Sequence, residues 1–248
     1  MQQRLFSDTR SQTSGRRSPG SVRVRRPPGR PPSAGRRGSR SPERVTRLID
    51  LTVAGVLLVA LAPLMLFAAA LVRATSPGPA LFKQVRVGYR KQPFVILKFR
   101  SMTVGCSDEV HRDFVTRMLR GEDAGPAGDD GVYKLSDDCR VTPVGRFLRA
   151  TSMDELPQLI NVLRGDMALV GPRPVLAWEM ELFGPHHHER FTVRPGITGL
   201  WQVSGRARLT MSQALDLDVA YVRRRSPALY LWILLKTIPT VLSMGATR

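Results

Sequence analysis

TSMDELPQLINVLRGDMALVGPRP, residues 151–174, packs a helix, a strand and a rigid turn into one short stretch. Leu156, Leu159, Ile160 and Leu163 recur at i, i+3, i+4 and i+7, the apolar face of a short helix. Ser152-x-x-Glu155 fits a capping box at its start, and Pro157 is tolerated in a first turn whose N–H groups lack partners anyway. Gly165 ends the helix, and residues 167–170 read as a brief buried strand. In Gly171-Pro172-Arg173-Pro174 two prolines then fix the backbone around an arginine. Asp154 and Glu155 form an adjacent carboxylate pair at the helix start. Acids favour helix N-termini for dipole reasons alone, so spacing by itself leaves them ordinary.

Outward from this stretch the pattern is mixed. Residues 81–87 and 94–99 alternate around Gly88-Tyr89-Arg90-Lys91 and predict a β-hairpin. Residues 108–119 are amphipathic and helical. Residues 121–131, GEDAGPAGDDG, form a loop whose acids lack the ordered ligand spacing of an EF-hand. Downstream, residues 175–183 and 212–223 predict helices, and 194–206, punctuated by glycine and proline, a rigid loop at the site. Residues 229–235 with Ile238, Val241 and Leu242 are apolar but interrupted by Lys236 and Pro239, which suits an interfacial helix. No internal repeat is evident. The fold class expected is α+β, mostly helical, with a small β-hairpin, a re-entrant membrane helix and interfacial amphipathic helices.

The membrane expectation rests on residues 53–72, an uncharged run of about the 20 residues that span a hydrocarbon core. Pro63 falls in its middle and removes a helix hydrogen bond. Both flanks are basic: Arg44 and Arg47 before, Arg73, Lys83, Arg86, Arg90 and Lys91 after. The positive-inside rule places both ends on the cytoplasmic face, so the segment enters, bends and leaves on one side. The chain then divides into an arm, 1–44, a re-entrant helix, 45–74, and a cytoplasmic catalytic domain, 75–248.

Of 248 residues, the first 44 hold twelve arginines against Asp8 and Glu43, which is more than half of the net charge of +18. This arm is too poor in aliphatic residues to offset its ordering entropy, and disorder is expected. It carries no nucleic-acid-binding motif and no interleaved aromatics, which favours anionic lipid headgroups over nucleic acid. Cys106 and Cys139 lack metal-site spacing and read as free thiols. Three consecutive histidines, His186-His187-His188, cannot all face one point on a regular element. With no cysteine or carboxylate cluster beside them, the sequence assigns them no metal.

A collinear set of motifs extends from about Arg47 to the end. Thr75-Ser76-Pro77-Gly78-Pro79 is followed by Lys83-Gln84-x-Arg86-Val87-Gly88, then Lys98-Phe99-Arg100-Ser101-Met102 and Val144-Gly145-Arg146-Phe147-Leu148-Arg149. After them come Asp154-Glu155-Leu156-Pro157-Gln158-Leu159, Leu169-Val170-Gly171-Pro172-Arg173-Pro174, and the run from Arg194-Pro195-Gly196 to Ser204-Gly205-Arg206. In these the chain resembles the bacterial sugar transferases, the monotopic polyprenyl-phosphate phosphoglycosyltransferases. The resemblance implies transfer of a sugar 1-phosphate from a UDP-sugar to polyprenyl (undecaprenyl) phosphate at the inner membrane's cytoplasmic face, with release of UMP. This would be the first membrane step of exopolysaccharide or other glycoconjugate synthesis. It implies Asp154 as nucleophile, Glu155 for magnesium and proton handling, and both carboxylates as Mg2+ ligands. Lys98, Arg100, Arg149, Arg173 and Arg194 become candidate diphosphate clamps, and Gln202 and Arg206 candidate nucleotide or sugar contacts. Two rivals stand beside it: a non-catalytic membrane-bound scaffold with a basic arm, and a basic nucleic-acid-binding protein with salt-dependent DNA affinity. Neither accounts for the ordered motifs.

Overall fold

The computed structural model describes residues 40–103, 109–122, 140–205 and 209–246. The arm up to residue 39, both cysteines, most of the 121–131 loop and Arg206 lie outside the described residues.

The first helix, α1 (Arg40–Ala60), takes in the last five residues of the stretch assigned to the arm. It breaks at Leu61 and is followed by α2 (Ala62–Thr75), with the two axes bent by 61°. Pro63 lies in the first turn of α2, where its missing N–H is tolerated. Among the described residues no single helix is long and apolar enough to cross a membrane; this bent pair is apolar enough only together.

Two strands follow, β1 (Leu81–Val87) and β2 (Pro93–Phe99), paired antiparallel with Leu81 opposite Phe99 and Val87 opposite Pro93. The expected hairpin is present. Its connection is a single 3-10 turn, Tyr89–Lys91, in which Arg90 and Lys91 both take positive φ. The helix α3 (Glu109–Arg120) matches the amphipathic segment. In α4 (Pro143–Ala150) the Thr142 side chain accepts from Gly145 N–H at the N-cap. Gly145 is required there, since a Cβ would sit 2.0 Å from the Ser101 carbonyl oxygen.

The capping box expected at Ser152 does not form. Ser152 is left-handed, with φ 57°, and makes no side-chain cap. It follows the C-cap of α4 and turns the chain sharply, the αL role that normally falls to glycine. Asp154 and Glu155 consequently sit in a 3-10 turn, Met153–Glu155, and α5 (Gln158–Arg164) starts only after Pro157, its N-cap. The buried face of α5 also differs from the leucine stripe. Gln158, Leu159, Asn161 and Val162 are buried, while Ile160 and Leu163 are half-buried.

The reason is Asn161, which is fully buried. Its Oδ1 accepts from Leu97 N–H at 3.0 Å and its Nδ2 donates to the Val95 carbonyl at 2.7 Å. The amide thus satisfies the free edge of β2 as a third strand would, and docks the hairpin onto α5. Asn161→Leu leaves a buried N–H and C=O without partners, each costing about 1–3 kcal/mol. A drop of several degrees or more in thermal midpoint is expected, and a midpoint equal to wild type would show that the edge is satisfied otherwise.

The strand β3 (Ala168–Val170) is buried as expected and pairs parallel with β4 (Gly196–Thr198). Gly196 and Gly171 approach so closely that a Cβ on Gly196 would lie 2.0 Å from Gly171 N. The helix expected over 175–183 is shorter, α6 (Ala177–Glu181), because Val175 is drawn into a bridge with Val87 and Glu179 caps Leu176 N–H. A 3-10 segment, Pro185–Thr192, follows. The stretch expected as a rigid loop holds β4 and a short helix, α7 (Leu200–Ser204). Thr210 and Gln213 form a reciprocal capping box on α8 (Met211–Arg224), and α9 (Pro227–Ala246) contains Pro239 without ending there.

Among the described residues the architecture is mostly helical with two two-stranded sheets, an α+β fold. One core joins Ala54 of α1, Ile96 of β2, Leu159 and Val162 of α5, Leu169 and Val170 of β3, and Tyr230 and Ile233 of α9. Polar contacts reinforce it. Arg47 donates to the Val162 and Leu163 carbonyls at the end of α5. Asp50, buried, accepts from Leu169 N–H and from the Tyr230 hydroxyl.

Candidate active site

Glu155 meets two cations brought from different elements. Lys98 Nζ donates to its Oε1 at 2.7 Å, and Arg173 Nη1 lies 3.9 Å from the same oxygen. Lys98 reaches it because Asn161 docks β2 on α5; Ile96 and Lys98, two apart on the strand, share the face toward the site. Arg173 reaches it from the proline-flanked turn after β3. These three residues line a cleft together with Arg86, Gln158, Pro174, Gly196 and Ile197. Asp154, beside Glu155 in the same turn, is buried at 6% exposure. A left-handed serine two residues before a carboxylate pair is backbone strain of the kind that gathers at functional sites.

The remaining basic candidates separate. Arg149, in the last turn of α4 and next to the turn carrying Asp154, has a buried Nη1 with no hydrogen-bond partner among the described residues. Arg100 is spent on the backbone: its guanidinium donates to the Pro77 and Ser76 carbonyls and to Ser76 Oγ, locking the end of α2. Arg194 Nε donates to the Gly165 carbonyl at 3.0 Å, closing the end of α5, and its guanidinium lies over the Tyr89 ring. Gln202, in α7, has a buried Oε1 without a partner among the described residues. Asp154, Arg100, Arg149, Arg194 and Gln202 are absent from the cleft lining, and Arg206 lies outside the described residues.

Two features escape the sequence reading. Arg86 lines the cleft beside Lys98, with its Nε and Nη2 on Gln84 Oε1 and its Nη1 3.9 Å from Glu179. Its place in the Lys83-Gln84-x-Arg86 motif was the available signal. The other is a fully buried ion pair behind the Arg173 turn. Arg190 Nη2 lies 2.6 Å from Asp218 Oδ2 and also donates to the Arg173 carbonyl at 2.7 Å, while the Arg173 N–H is directed to Asp218. The pair therefore grips both backbone polar groups of Arg173 and fixes where its side chain leaves the turn. Burial pushes the Asp218 carboxyl up to about 6, against the opposing pull of Arg190.

The sequence model of the family described as bacterial sugar transferase matches residues 41–244. The exopolysaccharide production protein ExoY of Sinorhizobium fredii is 40% identical over 201 residues, covering 81% of this chain and 87% of that protein. The UDP-glucose:undecaprenyl-phosphate glucose-1-phosphate transferase of Caulobacter vibrioides is 42% identical over 205 residues, 79% of this chain and 69% of the relative. The undecaprenyl-phosphate galactose phosphotransferase of Salmonella typhimurium is 38% identical over 203 residues, 82% of this chain and 41% of its own length.

Proposed function

This chain belongs to the bacterial sugar transferase family and is a transferase, and on that premise we propose that it moves a sugar 1-phosphate from a UDP-sugar to undecaprenyl phosphate in exopolysaccharide or other glycoconjugate synthesis. The observation that carries this reading is Glu155 in the lining of a cleft, held there by Lys98 and Arg173, with the buried Asp154 next to it in the chain. A diphosphate entering that cleft competes with Glu155 for the same two cations, so the resting ion pairs keep positive charge positioned without a bound anion.

An Asp154 carboxylate oxygen attacks the β-phosphorus of the donor. The new O–P bond forms as the bond to the bridging oxygen breaks, and UMP leaves with that electron pair. A phosphate oxygen of the polyprenyl acceptor then attacks the same phosphorus, expels Asp154 and leaves the lipid diphosphosugar. A covalent stage suits two substrates of such unlike polarity, because UMP departs before the lipid phosphate enters. Arg173, Lys98 and Arg86 bind the diphosphate oxygens, with Arg149 at the back of the turn. Arg100 and Arg194 act through the scaffold, holding the ends of α2 and α5.

The two adjacent carboxylates are hard oxygen donors, one of them lining the cleft, and this donor chemistry fits Mg2+, which binds through one or two carboxylates plus substrate phosphates. Asp154 and Glu155 are the residues that would hold it. Magnesium would supply neutralisation of phosphate charge. Purified protein with polyprenyl phosphate and a panel of UDP-sugars is expected to release UMP with at least one sugar, in Mg2+ and not in excess EDTA. Absence of UMP with every donor would favour the scaffold reading.

The reaction belongs at the inner membrane with the cleft on the cytoplasmic face, where UDP-sugars are made. Val56, Val59, Leu66 and Phe67 on the bent helix pair are each more than 60% exposed, and Leu231, Trp232, Leu235 and Ile238 are exposed on α9. Apolar surface of this extent calls for lipid. In a re-entrant arrangement, single cysteines placed before Arg47 and after Arg73 are both labelled from the cytoplasmic side of intact membranes. Labelling from opposite sides would establish a spanning segment instead.

A further inference from the structure

His186 and His187, neighbours in the 3-10 segment, lie with their rings tilted together at 3.7 Å between centroids. Both Nε2 atoms converge on one atom of α8: His186 at 3.1 Å and His187 at 3.0 Å from Asp216 Oδ1. All three donor atoms lie within 4.8 Å of one another. Sequence reasoning set these histidines aside for want of a nearby carboxylate; the fold supplies one from about thirty residues downstream.

We propose that His186, His187 and Asp216 form a zinc(II) site that clips the 3-10 segment to α8. Ligands bonded to one zinc at about 2.0–2.1 Å stand roughly 3.3 Å apart around a tetrahedron, close to the two separations seen here. Two imidazoles and one carboxylate are a donor set for a borderline transition ion, and magnesium, which prefers oxygen ligands and water, is a poor match. His186 and Asp216 are exposed, so solvent completes the coordination. His187 is buried and is the fixed ligand. Its Nδ1 has no acceptor among the described residues, so the site lacks the outer-shell hydrogen bond that sharpens metal affinity and holds its ion exchangeably.

The position gives the clip a purpose. Arg190 is on the same 3-10 segment and Asp218 on the same helix, and that pair holds Arg173. An ion at His186, His187 and Asp216 fastens the same two elements from the solvent side.

The test is calorimetric titration of untagged, full-length, metal-free protein with zinc chloride, followed by thermal unfolding with and without zinc. Wild type is expected to bind one zinc per chain and to unfold at a higher temperature in its presence. Asp216→Asn and His187→Ala should each weaken binding by about tenfold or more, since even outer-shell changes cost 10–100-fold, and should abolish the thermal shift. Glu155→Gln should bind zinc as wild type does, which separates this site from the cleft. If His187→Ala fails to fold, His186→Ala, at an exposed side chain, replaces it. Cobalt(II) in place of zinc should then give visible absorption bands that the variant lacks. Zinc binding unaltered by these substitutions, or no binding by wild type, overturns the proposal.

Discussion

Asp154→Asn is expected to lower UMP release by more than roughly a thousandfold, the scale on which loss of a nucleophile falls. The substituted side chain keeps its shape in a buried position, so the unfolding midpoint should stay near that of wild type. Glu155→Gln retains the nucleophile and removes the charge that Lys98 and Arg173 share, and a smaller loss, about ten- to a hundredfold, is expected. A second readout makes the test specific. With UDP-sugar present and acceptor withheld, intact mass of the wild-type chain should rise by one sugar phosphate, and that of Asp154→Asn should not. Turnover by a well-folded Asp154→Asn at the wild-type rate would remove Asp154 from the chemistry.

The buried pair behind Arg173 gives the second large effect. Removing one partner strands a charge in the interior and costs about 3–5 kcal/mol, so Asp218→Leu and Arg190→Met should each lower the unfolding midpoint markedly. The double variant, apolar at both positions, should recover much of that stability but not the activity, because the Arg173 carbonyl and N–H have lost their partners. Recovery of both would show that the pair does not position Arg173. A pH signature accompanies it. The folded-state pKa of Asp218, about 6, exceeds the unfolded value of 3.8. Its proton-linked stability is therefore complete below about pH 4 and lost as pH rises through about 6. Wild type should gain stability relative to the double variant as pH falls across that window, and a difference independent of pH would contradict the burial argument.

Local signals carried well from sequence to structure. The alternation in β1 and β2, the amphipathic period of α3, the helix at α8 and the short buried strand after Gly165 were all legible, since each depends on neighbours a few residues away. The proximity of Glu155, Lys98 and Arg173 joins residues that the resemblance had singled out from three separate motifs. What stayed hidden is long-range. Asn161 lies off the leucine stripe that predicted the helix, and its purpose appears only when β2, over sixty residues earlier, presents a free edge. Ser152 read as a helix cap because the pattern Ser-x-x-Glu is common, while the end of the preceding helix claimed it for a left-handed turn. Arg100 and Arg194 looked like substrate cations because charge is visible in a sequence and a carbonyl partner is not.

Asp50 changes what kind of part the bent helix is. A carboxylate there is tolerable only with Leu169 N–H and the Tyr230 hydroxyl against it, and those donors belong to β3 and α9. Apart from β3 and α9, the Asp50 carboxylate lacks both of these donors, and apart from α1, the Leu169 N–H and the Tyr230 hydroxyl lack this acceptor. Docking of α1 and folding of the rest are thus a single cooperative event. An apolar helix borrowed from another membrane protein, however well it partitions into lipid, would not complete this enzyme. The bent helix pair is a structural subunit of the fold in its own right, and a graft that replaces it must carry Arg47 and Asp50 to keep these contacts.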